Sequence, residues 1–190
     1  MKHVSCRFDW VVISAASSSV GLAAIQIARQ AGARPIATTL TSAKRDALLA
    51  AGAYAVIATQ EESLVQRLQE HTGGMLNCAF DAVGGPQVVD LAEAMVAKGN
   101  IVIHGALSSE DTPFPLKLAL KKSLTFRGYV YTEVTKNPNC LARAQDFIAQ
   151  GIASGTLRPH IDRTFPLDEV VDAHRYLESN QQFGKVVLTT

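Results

Sequence analysis

Two kinds of apolar pattern alternate along most of the chain. Short runs rich in β-branched and aromatic residues predict strands at 10–14, 35–39, 54–57, 78–82, 100–104 and 124–130. Segments with apolar residues at helical spacing predict helices at 19–31, 42–51, 61–71 and 87–97. Strands and helices that take turns in this way are typical of βαβ units. We therefore expect an α/β fold, a doubly wound parallel sheet of about six strands with helices on both faces.

Glycine, proline and serine mark several of the predicted boundaries. Gly32 and Gly52 directly follow two helices, at the position where a C-cap glycine is favoured. Ser42 precedes its helix as the expected N-cap. The Gly-Gly-Pro run at 84–86 turns the chain from a strand into a helix, since proline is tolerated in a first helical turn.

The character of the chain changes after Val130. Residues 139–154 and 167–177 predict two amphipathic helices, 157–165 an extended stretch and 184–190 a short final strand. This tail is too small for a core of its own. We therefore predict one domain over residues 1–156, followed by a strand-helix-strand tail over 157–190.

The turn from the first strand into the first helix holds the first candidate site. Dinucleotide-binding folds, of the Rossmann type, place a pyrophosphate at this helix N-terminus, where unpaired N–H groups and the helix dipole favour an anion. The usual G-x-G-x-x-G fingerprint reads Ala16-x-Ser18-x-x-Gly21 here, and Ser17 and Ser19 add hydroxyl groups. A serine-rich N-cap before a buried helix would give the same pattern, so the turn alone leaves both interpretations open.

The end of the second strand favours NADP(H) over NAD(H). An NAD site carries an acid about 20 residues further on, which holds the ribose 2′-hydroxyl. Here Thr39 and Ser42 stand in that region without an acid, and Lys44 and Arg45 follow. Hydroxyl groups and cations suit a 2′-phosphate. We select Lys44 as the phosphate contact and interpret Arg45 as a solvated surface charge.

Further motifs lie in order downstream of the turn. They are FDAVGG at 80–85, HGALS at 104–108, LTFRGY at 124–129, IDRTFPL at 161–167, AHRYLES at 173–179 and GKVVL at 184–188. Together with the serine turn they resemble the cofactor domain of the medium-chain dehydrogenase/reductase family, in its zinc-free quinone oxidoreductase branch. The resemblance runs from Val11 to Leu188.

The resemblance implies roles for particular residues. The pyrophosphate would lie against the segment from Ser18 through Val20 to Gly21, and Lys44 would face the 2′-phosphate. The ribose and nicotinamide would be flanked by Val83, Gly105, Ala106 and Leu107, and the nicotinamide would also lie near Tyr129. Lys185 would lie in the tail segment that faces the cofactor.

Two departures from the family pattern weaken the expected NADP preference. Thr59 replaces a tyrosine that is often found near the 2′-phosphate, and Asn180 replaces an arginine that some relatives carry in the tail. Thr59 stays in the candidate site as a hydroxyl group.

A larger departure concerns the domain that supplies most of the substrate pocket. Members of the family carry an N-terminal catalytic domain, whereas this sequence starts almost at the first strand of the cofactor domain. We therefore expect that domain to be missing and part of the tail to lack its usual partner. The resemblance also implies a homodimer joined through the sixth strand, 124–130.

Composition argues against other partners and cofactors. The formal net charge of +1 gives no reason to expect nucleic acid or acidic lipid. No apolar run is long enough to span a membrane, and the N-terminus lacks a signal-peptide pattern. Three widely spaced cysteines fit a reducing compartment, which we take to be the cytoplasm. The five histidines lack ligand spacing, so we expect no zinc.

The functional hypothesis is hydride transfer from NADPH to a quinone or enone. In the family branch that the sequence resembles, the hydride passes directly from cofactor to substrate and the protein positions both. We therefore assign no catalytic residue; His104 is open as a proton donor, although a histidine at a strand end more often has a structural role. The alternative is a non-catalytic, truncated NADP(H)-binding paralogue that acts as a sensor or partner subunit. A third possibility is a folded product without a role.

Overall fold

The computed structural model describes residues 10–190. The N-terminal segment without a signal-peptide pattern, with His3 and Cys6, lies outside the described residues. Within residues 10–190, every helix is too short or too polar to cross a bilayer.

Six parallel strands form one sheet in the order β3-β2-β1-β4-β5-β6. These strands are β1 (Trp10–Ile13), β2 (Arg34–Thr39), β3 (Ala55–Ala58), β4 (Leu76–Asp81), β5 (Met95–Ile103) and β6 (Thr125–Gly128). The strand order reverses between β1 and β4, and this switch point is where doubly wound folds bind their ligands. The predicted Rossmann fold is confirmed.

Helices cover both faces of the sheet. Those of the first part of the chain are α1 (Ser19–Gln30), α2 (Arg45–Ala50), α3 (Leu64–Thr72), α4 (Gln87–Ala94) and α5 (Leu116–Lys122). Three more follow, α6 (Thr132–Thr135), α7 (Pro138–Ser154) and α8 (Val170–Glu178). A second, two-stranded parallel sheet joins β7 (Ile161–Pro166) to β8 (Lys185–Thr189), with α8 between them in the chain.

The core has two halves because successive residues of each strand point to opposite faces of the sheet. Ile13 of β1 packs with Ile25 of α1 and Leu48 of α2 on one face. Val12 packs with Leu68 and Leu91, from α3 and α4, on the other. All four residues of β1 are buried. The central strand is therefore held from both sides, and its carboxyl end is fixed in position.

Three predicted boundaries are wrong for identifiable reasons. The fourth helix ends at Ala94 rather than residue 97, because Met95 pairs with Leu76 of β4 and begins β5. Ser42 is not an N-cap: it lies inside a 3₁₀ turn, Ser42–Lys44, that leads into α2, and its N–H bonds the Glu61 carboxylate. The third helix begins at Leu64, after Ser63 has accepted the N-cap hydrogen bond. The sequence reasoning also missed α5 and α6.

Candidate functional site

The turn after β1 forms an open helix N-terminus. The Ser18 hydroxyl oxygen accepts a hydrogen bond from the N–H of Gly21 at 3.0 Å and so caps α1. The N–H groups of Ser19 and Val20 belong to the first helical turn, where the helix offers no carbonyl partner. With the positive end of the helix dipole behind them, these two groups suit an anionic ligand.

Gly21 lets α1 pack directly against this turn. A Cβ atom added to Gly21 would lie 2.6 Å from the Cα of Ala16 and 2.7 Å from the carbonyl oxygens of Ala15 and Ala16. These are backbone atoms, which cannot turn aside. The remaining glycine of the fingerprint is therefore required by close packing between turn and helix, which is its role in dinucleotide folds.

A buried carboxylate connects the ends of β1 and β4 across the switch point. Asp81 is 0% exposed. Its oxygens accept hydrogen bonds from the Ser14 hydroxyl at 2.6 Å and from the N–H groups of Val83 and Gly84 at 3.0 and 2.9 Å. The Ser14 oxygen accepts in turn from the N–H of Ala82 at 2.8 Å. Asp81 therefore holds the phosphate turn and the next loop in a fixed relative position.

Sequence reasoning missed Asp81 and Ser14 as site residues. An acid at the end of an apolar strand, followed by two glycines, is the signal that points to Asp81. The serine partner has no comparable signal, since its importance comes from pairing across the sheet at a separation of 67 residues.

The loops after β4 and β5 lie against each other. The N–H of Leu107 bonds the carbonyl oxygen of Ala82 at 3.2 Å, and that of Ser108 bonds Val83 at 2.9 Å. A Cβ on Gly105 would lie 2.6 Å from the Ala82 oxygen. Leu107 itself is 70% exposed. The structure thus brings Val83 and the 105–107 turn together beside the switch point, with an apolar side chain facing solvent.

Tyr129 and His104 lie at the same edge of the sheet. Tyr129 follows β6, is half-buried and donates its N–H to the Ile103 oxygen at 2.9 Å. The His104 ring stacks on Phe80 with centroids 3.8 Å apart. Burial lowers the pKa of His104, whereas the nearby Asp81 raises it. The lowered pKa favours a neutral ring at neutral pH.

At the end of β2, hydroxyl groups and one ammonium come together. Thr59 donates both its N–H and its hydroxyl group to the Thr39 carbonyl oxygen, at 2.9 and 3.2 Å. The Lys44 ammonium lies 3.2 Å from the Ser17 hydroxyl oxygen. Burial lowers the pKa of Lys44, and the charge of Asp162 raises it. Lys44 thus connects the phosphate turn with the end of β2.

The interpretation of Arg45 as a solvated charge is wrong. Its guanidinium donates to the Val56 carbonyl oxygen at 2.7 Å and pairs with Glu62 at 2.7 Å. The Glu62 carboxylate also accepts the N–H of Ala58, and this hydrogen bond is the main reason why the pKa of Glu62 is lowered. Arg45 therefore fixes α2 to β3 and to the segment that precedes α3.

The tail reaches the phosphate turn as well. The N–H of Gly184 bonds the Ser17 carbonyl oxygen at 2.8 Å, and Gly184 pairs with Ser18 in an isolated parallel bridge. Lys185, the next residue, starts β8 with an exposed side chain. All candidate residues from the sequence thus lie on the turn, on the carboxyl ends of the strands or on the tail segment beside them.

A cavity of about 400 Å³ lies between the beginnings of α3 and α4, lined by Thr59, Glu62, Gln87 and Asp90 among others. Its volume is within the range of small-molecule sites.

A metal site needs several ligating side chains close together. Within residues 10–190, no three His, Cys, Asp or Glu side chains are grouped so that they could hold an ion.

Comparison with known families agrees with this architecture. A family model described as zinc-binding dehydrogenase matches residues 51–188. The chain belongs to the zinc-binding dehydrogenase family. Quinone oxidoreductase 1 of Escherichia coli is 32% identical over 183 residues, which are 92% of this chain and 54% of that protein. The resemblance to medium-chain dehydrogenases and their quinone oxidoreductase branch is confirmed.

Solved structures of the family superpose closely on this chain. The E. coli quinone oxidoreductase complexed with NADPH matches with a TM-score of 0.88 and 30% identity, over 96% of this chain and 57% of that one. An NAD-dependent alcohol dehydrogenase matches with a TM-score of 0.85 and 29% identity, over 96% and 51%. The chain spans about half the length of the curated quinone oxidoreductases and quinone oxidoreductase-like proteins it matches.

Proposed function

We propose that this chain binds NADP(H) along the carboxyl edge of its six-stranded sheet and serves as the cofactor domain of a quinone-reductase-type oxidoreductase. The observation that carries the proposal is the open N-terminus of α1 at the switch point, packed against its turn through Gly21. The N–H groups of the first helical turn and the helix dipole suit an anion there. The E. coli relative whose structure contains NADPH has the same fold.

The candidate residues divide along the length of such a cofactor. The segment Ser18–Val20–Gly21 would hold the pyrophosphate, and Lys44 the 2′-phosphate. The adenosine end would lie near Thr39, Ser42 and Thr59, beside the 400 Å³ cavity. Residues that would flank the nicotinamide end are Val83, Gly105, Ala106, Leu107 and Tyr129. Lys185 would face the cofactor from the tail, beside the phosphate turn. Residues 1–156 would form the cofactor domain and 157–190 its tail.

The proposed reaction is hydride transfer from NADPH to a quinone or an activated enone. The bound cofactor supplies the hydride. The chain's own contribution is to orient the cofactor through the fixed loops at Val83 and Gly105. We assign proton transfer to no side chain; the His104 ring stacks on Phe80, and burial lowers its pKa.

One observation favours a non-catalytic NADP(H)-binding role, as a sensor or partner subunit. Leu107, Val130 and Tyr131, on the side proposed for the nicotinamide, are 70, 59 and 72% exposed. These three apolar or aromatic side chains therefore face solvent. Quinone-dependent oxidation of NADPH by the purified chain tests the two functions: turnover supports the enzyme, whereas saturable binding without turnover supports the non-catalytic role.

Replacement of Lys44 tests the cofactor preference. We expect Lys44→Ala to weaken NADPH binding by about tenfold, because a charge-assisted contact to phosphate is lost, and to leave NADH binding nearly unchanged. Fluorescence titration with both cofactors measures the two affinities. Lys117→Ala, which removes an exposed lysine of α5, is the control. Equal losses for NADPH and NADH would refute the role of Lys44.

The free edge of β6 leads us to propose a homodimer. This strand ends the sheet, and its residues are exposed or half-buried. Phe114 and Leu120, close by in the chain, are 63 and 72% exposed. An unpaired edge beside apolar side chains favours association. We expect sedimentation to give twice the chain mass at micromolar concentration; a single-chain mass that does not change with concentration would contradict this.

A further inference from the structure

All the donor groups of Lys44 are in use. Its ammonium lies 2.6 Å from the carbonyl oxygen of Asn180, 2.7 Å from that of Gln182 and 3.2 Å from the Ser17 hydroxyl oxygen. An ammonium carries three N–H donors. The cation proposed for the 2′-phosphate is therefore fully engaged by the tail and by Ser17.

The tail segment 180–184, which we call the clasp, is hydrogen-bonded to Lys44 and to the phosphate turn, and its Phe183 packs against the core beside β1. Lys44 holds its first part through the two carbonyl oxygens, and Ser17 holds its last residue through the Gly184 N–H at 2.8 Å. Asn180 has a φ of +57°. Asparagine and glycine tolerate this left-handed conformation, but β-branched residues do not.

A 2′-phosphate would compete with the clasp for Lys44. A phosphate makes stronger, charge-assisted hydrogen bonds with an ammonium than neutral carbonyl groups do. Because the three donors are already used, each N–H that turns to the phosphate leaves Ser17, Asn180 or Gln182. NADH carries a 2′-hydroxyl group and lacks the charge to compete.

We propose that the clasp sets the choice between NADP(H) and NAD(H), because a 2′-phosphate takes Lys44 from the Asn180 and Gln182 carbonyl oxygens and releases the first part of the clasp, whereas NAD(H) leaves it closed. This inference rests on the proposed NADP(H) site. Opening the clasp costs free energy, and this cost lowers the affinity for NADP(H) but not the affinity for NAD(H). A weaker clasp therefore raises the preference for NADPH.

A pair of variants at Asn180 tests the effect on specificity. Asn180→Val strains the left-handed conformation and so weakens the closed clasp; we expect NADPH to bind about fivefold more tightly, with NADH unchanged. Asn180→Gly keeps the conformation and is the matched control, expected to change the NADPH to NADH affinity ratio by less than about twofold. An unchanged or lowered ratio in Asn180→Val would overturn the inference.

Hydrogen exchange of the clasp tests its release directly. In peptides that cover residues 180–184, we expect NADPH and the probe 2′,5′-ADP to speed exchange, and NADH and 5′-ADP to leave it unchanged. Binding is measured by titration in the same samples. Bound NADPH with unchanged or slower exchange overturns the clasp and leaves the proposed function standing. Absence of NADPH binding overturns both.

Discussion

Gly21→Ala should destabilise the chain by about 2 kcal/mol and weaken NADPH binding by at least about tenfold. The new Cβ would lie 2.6–2.7 Å from backbone atoms of Ala15 and Ala16, so α1 must move away from its turn. In an ordinary helix the same change stabilises by about 1 kcal/mol. The expected sign is therefore opposite to that of helix propensity. Urea unfolding and NADPH titration measure the two effects.

Gly128→Ala is the matched control for this change. A Cβ at Gly128 meets nothing within 4 Å. We expect its unfolding free energy to stay within about 0.5 kcal/mol of the parent. If Gly21→Ala is as stable as the parent and binds NADPH equally well, close packing at the turn is not required for stability or for NADPH binding.

Replacement of Asp81 by asparagine should cost about 3 kcal/mol of unfolding free energy. One carboxylate oxygen accepts hydrogen bonds from the Ser14 hydroxyl and the Val83 N–H, and the other accepts from the Gly84 N–H, so the new amide N–H₂ faces at least one backbone donor. A donor then faces a donor in a buried site. Because Asp81 joins the turn after β1 to the loop after β4, NADPH binding should weaken as well. Urea unfolding and calorimetric titration measure both.

Two further variants make the Asp81 prediction specific. Ser14→Ala removes one hydrogen-bond donor but leaves the carboxylate bonded to the N–H groups of Val83 and Gly84. Its unfolding free energy should therefore fall by less than that of Asp81→Asn. Asp111→Asn, at an exposed position, should change stability by less than about 0.5 kcal/mol. A stable Asp81→Asn variant with normal NADPH binding would show that the buried network does not hold the site.

The fold could be predicted because local patterns and tertiary demands agree. β1 is apolar throughout and is buried on both faces, and the C-cap positions of Gly32 and Gly52 have the positive φ angles that such caps need. Where the local pattern and the tertiary structure disagree, the prediction is wrong. Residues 95–97 continue a helical pattern, yet Met95 pairs with Leu76 of β4. Pairing with a neighbouring strand outweighs helix propensity there.

The candidate site could be placed from sequence but its contacts could not. Gly21 and Lys44 were identified by their position after a strand. The carbonyl oxygens that hold Lys44 come from residues 136 and 138 positions away, and they are backbone groups without any sequence signal. Arg45 was misjudged for the same reason, since its partners Val56 and Glu62 become neighbours only when β3 lies beside β2.

Calorimetric titration of the purified chain with NADPH is the most direct test of the proposed site. We expect saturable binding of one NADPH per chain, weaker binding of NADH, and at least about tenfold weaker binding of NADPH in Gly21→Ala. Heat changes that do not saturate at millimolar NADPH, in a chain whose circular dichroism shows it to be folded, would contradict the claim that this sheet edge binds a dinucleotide.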